Sequence, residues 1–266
     1  MNHLLRSNAP ISDAGWELLD GEARGRLTPA LAARKLTDFS GPHGWDHSAT
    51  NLGRTSALAD APSGGVSGLQ RRVLPLIELR ADFELSRAEL RDADRGADDT
   101  DLQPLDRAAH QIAVAENVAV FHGWVGAITG VSESSPHEQV SIGAGPSVYP
   151  KEVAGAVERL LCEGITGPYG LALGREQYRA VVETAEHGGY PLLDHLSQIL
   201  GGPIVWAPGV SGAVVLSLRG GDFLFESGQD LSIGYSSHDD DVVRLYVEES
   251  FSVRVATPEA AVAMKP

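Results

Sequence analysis

The pentapeptide Gly209-Val210-Ser211-Gly212-Ala213 has much of the frame of a nucleophile elbow, the turn that presents a serine to an ester or amide carbonyl. The frame fails at its last position, where Ala213 replaces the second glycine, and its flanks read as two strands instead of a strand and a helix. His43 and His47 stand four apart, which aligns two imidazoles for zinc only on a helix, and Gly41, Pro42 and Gly44 break any helix there. Asp98, Asp99 and Asp101 could offer oxygens to calcium or magnesium, but the bend glycine and bidentate glutamate of an EF-hand loop are missing. A solvated loop that favours the positive end of the next helix fits them better. Asp239-Asp240-Asp241 reads in the same way as a solvated turn. Cys162 is the single cysteine, excludes an internal disulfide, and suits a small core residue of a helix. His110 and His122 fall on one helix but not on one stripe. There is no P-loop, no GxGxxG after a strand and no HExxH. These residues nominate no catalytic side chain, no metal ligand and no cofactor-binding residue.

Charge and composition bound what is left. The 266 residues carry 21 Lys and Arg against 36 Asp and Glu, a formal charge of −15, which argues against a nucleic-acid partner. A hydrophobic fraction of 42% suits one large core or two lobes sharing a sheet. The opening MNHLLRSNAP lacks the apolar run of a signal peptide, and no stretch approaches the roughly 18 to 20 residues of a membrane helix. A soluble, cytoplasmic protein without a membrane partner is expected.

The elements that must position these residues follow from periodicity. Residues 220–251 alternate apolar and polar side chains and predict a meander: Phe223 and Phe225 share a face, as do Leu231 and Ile233, and Val243, Leu245 and Val247. Its reversals are expected at Ser227-Gly228 and at 236–241. Ser12 caps a first helix with Trp16, Leu19, Ala23, Leu27, Ala30 and Leu31 on one stripe. Gly15, Gly21 and Gly25 each weaken that helix by up to about 1 kcal/mol, and Thr28-Pro29 predicts a kink or the start of a new turn running to Arg34. Two extended arms, 52–58 and 66–85, flank a tip at 60–65, and the second is too apolar to stand free in water. It must lie on another sheet or another subunit. Ser86 to Glu89 is a capping box opening a short helix. The longest helix, about 102–128, carries Leu105, Ala109, Ile112, Val114, Val118, Phe121 and Val125 and serves as a spine. Mixed helices and strands over about 130–219 form an α/β lobe.

Certain short runs, in this order and spacing, carry a family resemblance. They are Ala9-Pro10, Gly41-Pro42-His43-Gly44-Trp45, Pro75-Leu76-Ile77-Glu78-Leu79-Arg80, Arg95-Gly96, Gly167-Pro168-Tyr169 and Gly188-Gly189-Tyr190-Pro191. Gly220-Gly221-Asp222-Phe223, Asp230-Leu231-Ser232-Ile233-Gly234-Tyr235 and Val243-Arg244-Leu245-Tyr246 complete the set. Over nearly its full length the chain resembles encapsulins, the nanocompartment shell proteins also called the linocin or bacteriocin family.

The resemblance implies an α+β fold of the tailed-bacteriophage major-capsid type. Residues 1–50, 80–129 and 220–266 would form its peripheral domain, 51–79 its extended loop and 130–219 its apical domain. It implies a non-enzymatic subunit without cofactors that assembles with its own copies into a closed icosahedral shell, a virus-like particle, which supplies the neighbour that the apolar arm needs. The shell would enclose a cargo protein, either a ferritin-like iron-storing protein or a dye-decolourising peroxidase. In the family, a short C-terminal targeting peptide of the cargo lies in a mainly apolar groove on the first helix and nearby strands. Carried over, that groove comprises Leu27, Leu31, Arg34, Asp38, Asp230, Leu231 and Ile233; ordinary core packing accounts for the leucines equally well. His187, Gly188, Gly189 and Tyr190 would line a fivefold pore, where His187 could change charge between about pH 5 and 8. Two other classes stay open. A secreted bacteriocin or protease needs an export signal or a nucleophile motif, and a phage capsid subunit needs a scaffold segment and a basic, genome-facing surface.

Overall fold

Ser12 opens the first helix as its sequence predicts: its Oγ accepts the Gly15 N–H at 2.9 Å. In the computed structural model, which describes residues 3–143, 145–185 and 189–266, this helix, α1, runs Asp13–Ala30 and buries Trp16, Leu19, Ala23, Leu27 and Ala30 along one stripe. Pro29 lies inside its last turn, so the break falls two residues later than expected, and the chain re-enters a helix only at α2, Ala33–Leu36. Then come β1 (Asp38–Ser40), β2 (Ala49–Leu58), β3 (Gly68–Pro75), β4 (Ile77–Ser86), α3 (Arg87–Asp94), α4 (Gln103–Phe121) and α5 (Val131–Ser134). They are followed by β5 (Val140–Ser141), α6 (Tyr149–Cys162), β6 (Tyr169–Leu173), α7 (Arg175–Glu183), α8 (Leu192–Leu200), β7 (Ile204–Trp206) and β8 (Ala213–Ser217). The chain ends with β9 (Phe223–Ser227), β10 (Ser232–His238), β11 (Val242–Val255) and β12 (Ala261–Lys265).

The first sheet is built on β11. Along one of its edges β4 pairs from Val242↔Ser86 to Phe251↔Ile77. Along the other edge β10 pairs with residues 243–248 and β9 with residues 251–255, end to end and both antiparallel to β11. The chain therefore keeps its direction through 228–231. Ser227-Gly228 is not the reversal expected of it but a break in one long edge strand. The reason is a bulge: Gly228 N–H donates to Ser250 O and Gln229 O accepts from Ser250 N–H, both at 2.9 Å, so two residues of the edge face one of β11. β1 adds in parallel to β9. Helices α1 and α4 pack beneath this sheet, α4 against both β4 and β11.

The spine helix also ends earlier than its pattern predicts, at Phe121 instead of about residue 128. Gly123 has φ 89°, and a Cβ there would sit 2.9 Å from Gly130 N and 3.0 Å from Ile128 O. The chain folds back through a tight turn in which Trp124 bridges Ile128, and Val125, expected on the buried stripe, is fully exposed.

The second sheet, in the order β5-β12-β8-β6-β7, lies among α6, α7 and α8. β8 is buried throughout and pairs with both β6 and β12. Residues 261–265, grouped above with the spine helix, thus hydrogen-bond into the sheet of the α/β lobe. The arm expected at 66–85 divides at Leu76, whose N–H reaches Ser48 O: β4 enters the first sheet, while β2 and β3 pair only with each other. No helix among the described residues is long and apolar enough to cross a membrane.

Candidate functional site

Ser211, His43, His47, His122 and Asp239 each have a local partner that accounts for them, whereas Cys162, expected as a core residue, is exposed at the last position of α6, off its buried stripe of Val153, Ala156 and Leu160. His122 Nε2 accepts the backbone N–H of Ser211 at 2.9 Å, so this pair holds a loop in place and does not activate the serine hydroxyl. Burial holds the His122 pKa below its ordinary value, which keeps the ring neutral for that role. His43 bonds Ser40 Oγ at 2.9 Å and His47 bonds Glu226 at 2.6 Å; among the described residues no three His, Cys, Asp or Glu are grouped to hold a metal. Asp239 accepts the N–H groups of Val242 and Asp241 and then the Arg244 guanidinium, which together lower its pKa to about 2. It closes the turn between β10 and β11.

The feature that gathers expected residues is a cleft of about 380 Å³ between α1 and β10. Leu27 and Leu31 from the end of α1, Arg34 from α2, and Asp230, Leu231 and Ile233 from the break between β9 and β10 all line it. Six of the seven carried-over groove residues thus meet in one place. Asp38 does not join them; its Oδ2 accepts the Gly221 N–H at 2.6 Å on the far side of β1. Leu27 and Leu31 are at once cleft-lining and nearly buried, at 6% and 9% exposure, so they serve the core as well. The N-terminal stretch closes one end, because Leu4 O accepts from Tyr235 N at 2.8 Å and Arg6 Nε donates to Ile233 O at 2.8 Å. Arg6 also grips Asp20 with both guanidinium nitrogens and lies 4.3 Å over the Trp16 ring. Arg24 on the rim has no carboxylate partner among the described residues.

Under the cleft lies an ion cluster whose glutamates carry no sequence signature of their own. Arg34 Nε donates to Glu116 at 2.7 Å, and its two Nη atoms donate to Asp230 and Glu249 at 2.6 Å each. Glu116 on α4 and Glu249 on β11 are buried, whereas the Asp230 side chain is 44% exposed at the cleft mouth. Burial first, and then repulsion between the two carboxylates, holds the Glu249 pKa well above 4.5, and burial raises Glu116 as well. Arg34 thus bridges all three carboxylates, and through one Nη it fixes Asp230 at the cleft mouth. For Arg34 itself burial works against the charge, but the carboxylates outweigh it and its pKa rises. Phe39 and Phe225 flank the guanidinium at 5.3 and 5.4 Å. The available signal was weak: Glu249 falls on the same face of β11 as Val247 and Phe251, and Glu116 on the buried face of α4 with Ile112 and Ala113.

Of the expected pore residues, His187 and Gly188 lie outside the described residues. Tyr190 is half exposed, and its hydroxyl accepts from Gln198 Nε2 at 2.8 Å.

The cleft is lined by Ala23, Leu27, Leu31, Leu231, Ile233 and Val247 together with Arg6, Asp20, Arg24, Arg34 and Asp230. Comparison with known proteins agrees with the architecture. The model of the family Linocin_M18, described as an encapsulating protein for peroxidase, matches residues 1–252. A type 1 encapsulin shell protein of Rhodospirillum rubrum is 48% identical over 271 residues, covering 100% of this chain and 97% of its own. One of Mycobacterium tuberculosis is 38% identical, with 99% of each chain covered. Among solved structures, a virus-like particle from Pyrococcus furiosus superposes with a TM-score of 0.67 at 17% identity, covering 93% of this chain and 98% of its own. A structure of Mycobacterium phage Ogopogo does so with 0.57 at 14%, covering 89% and 91%. At those identities the structures establish the α+β phage-capsid fold, and the sequence matches establish the rest: the chain belongs to the Linocin_M18 family of encapsulating shell proteins.

Proposed function

We propose that this chain is the repeating subunit of a closed icosahedral cage in the cytoplasm and that the cleft between α1 and β10 receives a short C-terminal peptide of an enclosed protein. The observation that supports the reading is the convergence of Leu27, Leu31, Arg34, Asp230, Leu231 and Ile233 from two stretches of chain nearly 200 residues apart on one cleft. An apolar floor would take aliphatic side chains of the peptide, burying each for about 1.5 to 3 kcal/mol, and the Arg34-fixed carboxylate of Asp230 would orient its backbone or a basic residue. The family description names a peroxidase as what is encapsulated, which favours a dye-decolourising peroxidase over a ferritin-like protein as cargo. Gly189 and Tyr190, with His187 and Gly188, would line a pore at the fivefold axis. The subunit itself would do no chemistry.

Size-exclusion chromatography and negative-stain imaging of the purified chain should show hollow megadalton particles; a clean 28.1 kDa monomer would sink the cage. Co-expressed with a peroxidase carrying its native C-terminus, Leu27→Asp particles should form and stay empty. Normal loading of that variant would remove the cleft from the reading while leaving the cage intact.

A further inference from the structure

A second cleft, of about 400 Å³, lies where the β2–β3 ribbon leaves the body, between the ribbon base, the turn after α4 and the end of β11. Arg54, Arg72 and Arg254 all line it. None of the three guanidinium groups has a carboxylate or other side-chain hydrogen-bond partner among the described residues, although the chain carries −15. The ribbon, residues 49–75, holds three arginines against one aspartate, so the rest of the chain carries −17. Beside the cleft, Trp124 is 47% and Val125 100% exposed. Guanidinium groups next to an uncovered indole are the composition of an interface centre, not of a solvated surface.

The unmatched acids lie at the opposite end of the same strand. The 239–241 turn leads into β11 and is tied to the start of α3, since Arg87 donates to Asp241 O at 2.9 Å through its N–H and to Asp239 O at 2.8 Å through Nη1. The 98–101 loop packs on the first turn of α3, where Asp101 N–H donates to Glu89 at 3.0 Å. The side chains of Asp98, Asp99, Asp240 and Asp241 have no cationic partner among the described residues. From Asp241 to Arg254 the strand spans about 40 Å, so a chain cannot bring its own aspartates to its own arginines.

We infer that the arginine cleft at the ribbon base receives the aspartate end, 98–101 and 239–241, of a second copy of this chain. The contact is head to tail: donor and acceptor patches differ, so each copy that docks offers a fresh arginine cleft and a fresh aspartate end, and the series stops only on closure. It rests on the reading of the chain as a self-assembling subunit and assigns the charge pairing that sets register between copies. Opposite charges in such a contact steer encounter and exclude wrong neighbours, since like charges brought together cost several kcal/mol.

The test is a charge swap read by sedimentation velocity, with circular dichroism as the control for folding. R72E R254E and D240R D241R should each remain folded, because Arg72, Asp240 and Asp241 are exposed and Arg254, half-buried at the cleft wall, holds no side-chain partner, and each should lower the assembled fraction by about tenfold or more. The chain carrying all four changes should recover assembly. Wild-type assembly by either single pair, or no recovery in the combined chain, overturns the inference while leaving the cage standing. Inorganic phosphate binding that R72E R254E abolishes without loss of particles would make the cleft a small-anion site and overturn it too. A wild-type chain that forms no particles removes the cage itself, and this contact with it.

Discussion

At the scale of the residue, the buried carboxyl pair beneath the first cleft makes the sharpest claim. Glu116 and Glu249 meet at Arg34, which is 82 residues from the one in sequence and 215 from the other. A carboxyl whose pKa is raised on folding stabilises the fold most fully below its unfolded value of 4.5, and this contribution is lost as pH climbs toward the folded value. Over that window stability falls by about 1.4 kcal/mol for each pH unit. Glu249→Gln puts a neutral amide in place of the carboxyl that burial and Glu116 hold above its ordinary pKa. It should be at least as stable as wild type at pH 7, with an advantage that grows from about pH 5 upward, read as melting temperature against pH. A variant equally destabilised at every pH would mean that the pair holds no proton. Arg34→Met, which leaves two carboxyls around no cation, should by contrast cost about 3–5 kcal/mol. Little of this was legible beforehand. Glu249 keeps the phase of Val243, Leu245 and Val247, so alternation places it on the apolar face, but the groups it meets there, Arg34 and Glu116, come from distant parts of the chain.

At the scale of the element, the junction between α1 and α2 decides where the cleft residues point. Asn117, fully buried on α4, accepts the N–H groups of Ala32 and Ala33 at 3.0 and 3.1 Å and donates to Ala30 O and Pro208 O at 2.8 and 3.2 Å. One side chain thus satisfies the end of one helix, the start of the next and the loop that precedes β8. Ala32 N–H and Ala30 O would keep each other at 3.0 Å, but Asn117→Ala would strand Ala33 N–H and Pro208 O at about 1–3 kcal/mol each, so a net loss of roughly 3 kcal/mol is expected. Hydrogen exchange should locate the damage at residues 30–36, next to Leu31 and Arg34, with β6 and β8 still protected. Uniform loss of protection would make Asn117 a general core residue and not the joint. Elements of this kind were readable where a local rule governs them, as with the Ser12 cap, the apolar stripe of α1 and the alternation of β11. They were misread where a distant contact overrode the local rule. Gly228 and Gln229 together face Ser250 of β11, α4 stops where Gly123 folds back on Gly130, and the break after Pro29 waits until Asn117 takes up the N–H groups of Ala32 and Ala33.

At the scale of the whole molecule, the ribbon is the part that its own fold does not explain. β2 and β3 pair only with each other, and Leu58, Val66, Leu69 and Val73 are 46 to 66% exposed. A two-stranded ribbon gains little by itself in water, and beyond its base at Thr50 it supplies no fully buried side chain to either sheet. The sequence left the apolar arm either another sheet or another subunit, and its part from Ile77 onward takes the first, on β11 of its own chain; the exposed side chains of β2 and β3 are what the proposed contact between copies would cover. Cutting residues 54–71 out and closing β2 onto β3 with Asn-Gly should leave a chain that unfolds cooperatively near the wild-type temperature, because the core around β11 and β8 is untouched. The same chain should sediment as a monomer at concentrations where the full-length protein forms particles. Particles built without the ribbon would show that the subunits hold together through their bodies alone, and the exposed leucines and valines would then lack a purpose in the shell. Loss of both folding and assembly would show instead that the ribbon belongs to the core of its own subunit. Only a folded monomer separates what makes the subunit from what makes the cage.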